Sequence, residues 1–235
     1  MVAPTVVLFD FFGTLVTYEA DRTALRYTST HALLSGWGSD LDHDAFVVER
    51  DAASIALEES SSDSHVEHSM VDAAMAFGER VGLSLDDVRC AELIEVFLDE
   101  WAAPVRIVPG TPQMLRRLAD RYRLGLVSNT NDAAMVPALL ATHDIGDVFE
   151  TVLLSVDHGH RKPHPSIYQA ALDHFGCAAS DVVFVGDSYE ADYLGPTTAG
   201  MTAYLIDPAG ARSVPPGRRL SSVLDLDSAL DAIAG

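Results

Sequence analysis

Hydrophobic positions along this chain change period. Val6-Val7-Leu8-Phe9 is a short unbroken apolar run, the pattern of a strand buried on both faces, and it stops at Asp10 before the turn glycine Gly13. From about Thr17 to Ala103 apolar residues recur at helical spacing and no strand pattern appears. Leu25, Ala32 and Leu33, with Tyr18, mark a first helix that breaks near Gly36-Trp37-Gly38. A second starts at Asp42 or His43 and carries Phe46, Ile55 and Leu57 to about Glu59, with Ser60 to Ser64 read as a loop. Met70, Ala74, Phe77 and Val81 make a third that ends at Gly82; Ser84 or Asp86 caps a fourth, with Val88, Leu93, Val96, Phe97 and Trp101 turned inward.

Beyond Pro104–Gly110 the pattern alternates. Strands are predicted at 123–128, 151–156, 182–185 and 202–206, and helices at 111–118, 132–142, 165–175, 189–199 and 227–234. Strands separated by helices of this length form a parallel sheet covered on both faces. The expectation is an α/β protein with a Rossmann-like parallel core built from residues 1–15 and 107–235, and an inserted all-α, four-helix domain at 16–106.

Charge narrows the function. Among 235 residues, 35 acidic side chains oppose 15 basic ones, for a net charge of −20. That field repels nucleic acid and anionic membranes, so neither is expected as a partner, and an anionic substrate needs a locally positive site. The chain has a single lysine, Lys162, and fourteen arginines. Acid-rich, lysine-poor composition fits a protein kept soluble at high salt. Two isolated cysteines, Cys90 and Cys177, give neither a disulfide framework nor a zinc site, and suit a reducing, cytoplasmic location. No signal peptide or membrane-spanning run is read.

Candidate chemistry gathers where predicted strands end. In a parallel sheet, ligands bind beyond the carboxyl ends of the strands. Asp10 closes the first strand, Ser128-Asn129 closes another just before a helix, and Gly186-Asp187 closes a third, with Asp192 five residues on. Ser128 and the following amides form an anion cradle, the sole lysine precedes Pro163 in a long loop, and Asp10, Asp187 and Asp192 are hard oxygen ligands of the kind Mg²⁺ takes.

Asp10-Phe11-Phe12-Gly13-Thr14-Leu15, Ser128-Asn129, Lys162-Pro163 and Gly186-Asp187-Ser188 with Asp192, in this order, resemble the motifs of the haloacid dehalogenase superfamily of aspartate-nucleophile hydrolases. The helical insert is similar to that family's cap domain. The resemblance implies a phosphohydrolase acting on a small phosphorylated metabolite. Asp10 would be the nucleophile that becomes an aspartyl-phosphate; Ser128, Thr14 and the Asn129 amide would meet the substrate, and Lys162 would supply positive charge. It also implies Mg²⁺, held by Asp10, the Phe12 backbone carbonyl, Asp187 and Asp192.

One position departs from the pattern. Phosphatases of this superfamily usually carry a second aspartate two residues after the nucleophile, as general acid and base; here it is Phe12. The 2-haloacid dehalogenases also lack it, which makes a dehalogenase the alternative, but they work without metal and usually replace the residue corresponding to Asp187. Phosphonoacetaldehyde hydrolases need a cap lysine, and residues 16–106 contain none. A binding or regulatory protein that has lost turnover is a third reading. Tyr18, Arg22 and Arg26 are spaced four apart, and Arg22 is a candidate substrate contact. His158, His160 and His164 are expected to face solvent, and a homodimer is the common state for soluble enzymes.

Overall fold

The computed structural model describes residues 4–17 and 26–234. The chain forms two compact units: Met1–Tyr18 with Arg106–Gly235, and Glu19–Val105.

The first unit is a six-stranded sheet, every pairing in it parallel. Strands β1 (Val6–Phe9), β4 (Arg123–Ser128), β5 (Thr151–Leu154), β6 (Val182–Gly186), β7 (Thr202–Ile206) and β8 (Arg219–Leu220) are ordered β5-β4-β1-β6-β7-β8. β1 lies at the centre, with Val6 opposite Arg123 on one side and Val182 on the other. All four of its residues are buried, which is why it reads as a continuous apolar run instead of an alternating one. On one face Val6, Leu8, Val127 and Phe184 pack against Ile167, Tyr168, Ala171 and Phe175 of helix α8 (Pro165–Phe175). Gly125 in β4 belongs to this packing, since a Cβ there would press on Leu8 and Phe175. Helix α5 (Thr111–Ala119) buries Met114, Leu115 and Leu118 at its 3.6-residue period. The short strands β2 (Val16–Thr17) and β3 (Arg106–Ile107) form a separate antiparallel pair where the chain leaves and re-enters this unit.

The second unit has helices α1 (Thr28–Gly36), α2 (His43–Ser61), α3 (Met70–Arg80) and α4 (Asp87–Ala102). The Asp42, Ser69 and Asp86 side chains cap α2, α3 and α4, each accepting from a backbone amide of the first turn. Its core joins Leu34, Phe46, Ala74, Phe77, Cys90 and Leu93. Two expectations fail here. Val88, predicted inward, is 75% exposed, because as the second residue of α4 it falls on the face opposite Cys90 and Leu93. Ser60 and Ser61 extend α2 instead of starting a loop, and their hydroxyls bond the Leu57 carbonyl one turn back. No helix among the described residues is long and apolar enough to cross a membrane.

Candidate active site

Strand order reverses at β1, from which later strands run to β4 on one side and β6 on the other. Asp10 leaves the end of β1 with its amide donating to Val185 at 2.9 Å, so the carboxylate stands on a rigid element. Both of its oxygens are engaged. The Lys162 ammonium donates to Oδ1 at 2.7 Å, and the Thr14 hydroxyl donates to Oδ2 at 3.0 Å. Thr14, expected on the substrate, thus orients Asp10.

Lys162 bridges two acids. Its Nζ also donates to Asp192 Oδ1 at 2.8 Å, and lysine and both carboxylates are buried. The other Asp192 oxygen accepts the Ser188 amide at 2.9 Å. Asp192 is carried by a π-helical turn, Tyr189–Leu194, capped by the Ser188 side chain; the expected helix over 189–199 divides there and continues as α9 (Gly195–Thr198). Wide turns of this kind recur at functional sites, where they re-aim a side chain.

Asp10, Asp187 and Asp192 each present an oxygen within 4.8 Å of the others, Asp187 being the exposed member. Two glycines permit this closeness. A Cβ on Gly13, whose φ is +83°, would collide with the Asp187 carboxylate, and one on Gly186 would collide with Asp192. Three carboxylates against one ammonium leave two negative charges in a poorly hydrated place. Desolvation pushes Asp10 and Asp192 upward, and the more accessible Asp187 as well, the last two to about 6, because neighbouring carboxylates add to it and Lys162 offsets only part of both. For Lys162, the two acids outweigh burial and raise the ammonium above its ordinary value. An all-oxygen donor set with a double negative excess fits a divalent cation.

The Asn129 side chain clamps the lysine loop: its carboxamide donates to the Lys162 carbonyl at 2.9 Å and accepts the Lys162 amide at 2.8 Å. Ser128 is buried at the end of β4, its hydroxyl 3.5 Å from the Asn129 carbonyl, and no described hydrogen bond ties it to Asp10 or Lys162. Phe12 is half-buried with its ring edge-on to Phe11 at 4.9 Å, and a bridge pairs it with Val16. Arg22 and Tyr18 lie outside the described residues. Arg26 engages His43 and Asp44 within the helical unit. The three histidines around Lys162 are half-buried, not solvent-facing. His160 stacks on His164 at 4.1 Å, and His158 and His164 both meet the Ser166 hydroxyl at 2.8 Å. The sequence names Thr14 but not its partner Asp10, and Ser188 leaves no signal because it meets Asp192 through its backbone amide.

A parallel α/β core with an acid cluster where strand order reverses is the architecture of an α/β protein with its ligand site at the switch point. The chain belongs to the haloacid dehalogenase-like hydrolase family, whose model matches residues 4–200. It is 37% identical over 100 residues to a glyceraldehyde 3-phosphate phosphatase of Pyrococcus abyssi, a match covering 42% of each chain. The match thus spans well under half the length of that relative. A ribulose-1,5-bisphosphate 5-phosphatase of Halopiger xanaduensis is 24% identical over 209 residues, covering 87% of this chain and 85% of that one. The fold is shared with a 2-haloacid dehalogenase from Pseudomonas syringae pv. Tomato, with TM-score 0.71 and 23% identity over 98% of this chain and 99% of the other.

Proposed function

We propose that this protein is a Mg²⁺-dependent phosphohydrolase for a small phosphorylated metabolite, with Asp10 as nucleophile. The observation that carries the reading is the close set of three carboxylates around one buried lysine. A metal-free dehalogenase site would present that negative excess to a haloacid anion and repel it. Phosphatases acting on glyceraldehyde 3-phosphate and ribulose bisphosphate among the relatives support a small phosphate ester as substrate.

In this mechanism Asp10 attacks phosphorus in line with the leaving oxygen. The P–O bond to the leaving group breaks as the Asp10 Oδ–P bond forms, and water then hydrolyses the aspartyl-phosphate to return the carboxylate. Thr14 fixes the rotation of the attacking carboxylate. Lys162 draws negative charge towards the Asp10 end of the site, and the Ser128 hydroxyl and Asn129 amide are assigned to the phosphoryl oxygens. Asp10, Asp187, Asp192 and the Phe12 backbone carbonyl would hold Mg²⁺, which neutralises phosphoryl charge when bound. The helical unit is assigned the role of cap. Phe12 offers no proton, so the leaving group either departs without one, as an acyl or aryl phosphate does, or takes it from another residue.

The test is phosphate release with and without Mg²⁺ over a panel of sugar, acyl and aryl phosphates, beside chloride release from 2-chloropropionate. Mg²⁺-dependent phosphate release that Asp10→Asn abolishes is the expected result. Chloride release without metal would replace this reading with the dehalogenase, and neither product would leave a binding protein.

A further inference from the structure

The π-helical turn that carries Asp192 contains a backbone defect, and a residue on a different helix repairs it. In a π-helix each carbonyl accepts from the amide five residues on. The Gly195 amide accordingly donates to Glu190. The next carbonyl, Ala191, would take its proton from residue 196, which is Pro196 and has no N–H. A buried carbonyl without a donor is costly. Here the donor is the Tyr168 hydroxyl, which reaches from α8 to the Ala191 carbonyl at 2.5 Å.

The surroundings are shaped for that reach. Tyr168 is fully buried in the core cluster beneath the sheet. A Cβ on Gly195 would collide with its hydroxyl, so only glycine admits the phenol at this point. The peptide linking Ala191 to Asp192 is thereby held at both polar ends, its carbonyl by Tyr168 and its N–H by the Ser188 carbonyl at 2.7 Å. Asp192 extends directly from that peptide and has both oxygens committed, one to Lys162 and one to the Ser188 amide.

We propose that Tyr168 is a positioning residue for the acid cluster: its hydroxyl stands in for the amide that Pro196 lacks and so fixes the turn that aims Asp192. Tyr168 is not among the carboxylates that would hold the cation; it acts through Ala191. The inference rests on the metal-binding reading above.

The experiment is Mg²⁺ titration by calorimetry, without substrate, of the wild type, Tyr168→Phe and the double variant Tyr168→Phe/Pro196→Ala. Phenylalanine keeps the ring and removes only the donor; alanine at 196 returns an N–H to the position from which the π pattern would supply it. Loss of a group that orients a ligand typically weakens metal binding by 10–100-fold. The expected result is Mg²⁺ affinity about ten-fold weaker in Tyr168→Phe and mostly recovered in the double variant. Wild-type affinity in Tyr168→Phe overturns the inference, and so does a double variant as weak as the single. Should Tyr168→Phe not fold, a folded, Mg²⁺-binding double variant supports the proposal and an unfolded one overturns it. A wild-type protein that takes up no Mg²⁺ is a separate outcome: it overturns the metal reading, and with it this inference.

Discussion

Asn129 and Lys162 exchange two hydrogen bonds, carboxamide to main chain, at 2.8 and 2.9 Å, across 33 residues of sequence. The end of β4 and the lysine loop are thereby fixed to one another, and the ammonium that reaches Asp10 starts from a clamped backbone. Asn129→Ala removes both bonds. Each is worth about 0.5–1.5 kcal/mol net, so melting should fall by a few degrees. The larger effect is expected in turnover, because a displacement of about 1 Å at a reacting centre costs on the order of 10²-fold. Steady-state kinetics beside a thermal melt should show kcat reduced roughly 10- to 100-fold with KM little changed. An unaltered kcat would show that the two carboxylates alone hold Lys162.

The raised acids give the metal-free protein a particular pH dependence. Asp187 and Asp192 titrate at about 6 in the folded chain, above the ordinary 3.8, so the folded state binds their protons more tightly than the unfolded state does. Their contribution is complete below about pH 4 and is lost as pH rises through 6. Asp72, Glu100 and Asp207 are shifted downward, and what they contribute is lost only as pH falls below the usual carboxylate range. In EDTA the melting temperature should therefore drop between pH 5 and 7.5, and millimolar Mg²⁺ should restore it at pH 7.5. Asp187→Asn should flatten the metal-free profile. A flat wild-type profile would show that the acids do not strain the empty site.

Lys162→Met tests the same charge balance from the other side. Removing one partner of a buried ion pair typically costs about 3–5 kcal/mol, because the remaining charge has no compensation. Asp10 and Asp192 can relieve that cost by taking up protons, so urea melts should show the full loss at pH 8 and a smaller one at pH 5. Phosphate release should vanish at both. Equal losses at the two pH values would mean that packing of the lysine stem, not its charge, sets the effect.

The net charge of −20 leads to a dependence on salt. Surface pairs such as Arg116 with Asp144 and Asp147, or Arg121 with Asp231, weaken as salt screens them, whereas the repulsion among unpaired acids weakens too and involves more groups. Raising KCl from 0.1 to 2 M should therefore raise the melting temperature. An unchanged melt would remove the high-salt reading of the composition.

The hydrophobic pattern located the strands closely: β1, β4 and β7 start and stop where period and flanking turns place them. Those strands are buried runs with polar ends, so local sequence and tertiary environment agree. The pattern failed where burial depends on a distant partner. Val88 is apolar but falls on the face of α4 away from its core, and the two-residue strands β2, β3 and β8 are too short to carry a period. At the site, the order of the motifs was enough to nominate the acids and the lysine. What it left hidden was direction: the Asn129 carboxamide turned to a backbone, the Thr14 hydroxyl turned to Asp10, and the π turn whose Ala191 carbonyl accepts from Tyr168.

Phe12 sets the last prediction. Its backbone is pinned by the bridge to Val16, and Gly13 donates to the Val16 carbonyl at 2.8 Å, so a substitution at 12 changes the side chain without moving the turn. Phe12→Asp places a carboxyl two residues from Asp10, where a proton is needed by the departing oxygen and later drawn from water. A positioned general acid contributes about 10²–10⁴-fold, and more for a poor leaving group than for a good one. Activity on alkyl phosphates should rise towards that range, while acyl and aryl phosphates gain little, so the dependence of kcat on leaving-group pKa should flatten. The added carboxylate also deepens the negative excess, and the metal-free melt at pH 7.5 should fall below that of the wild type. A variant that gains nothing on alkyl phosphates, yet still binds Mg²⁺, would show that another side chain already delivers the proton and that Phe12 sits where none is wanted.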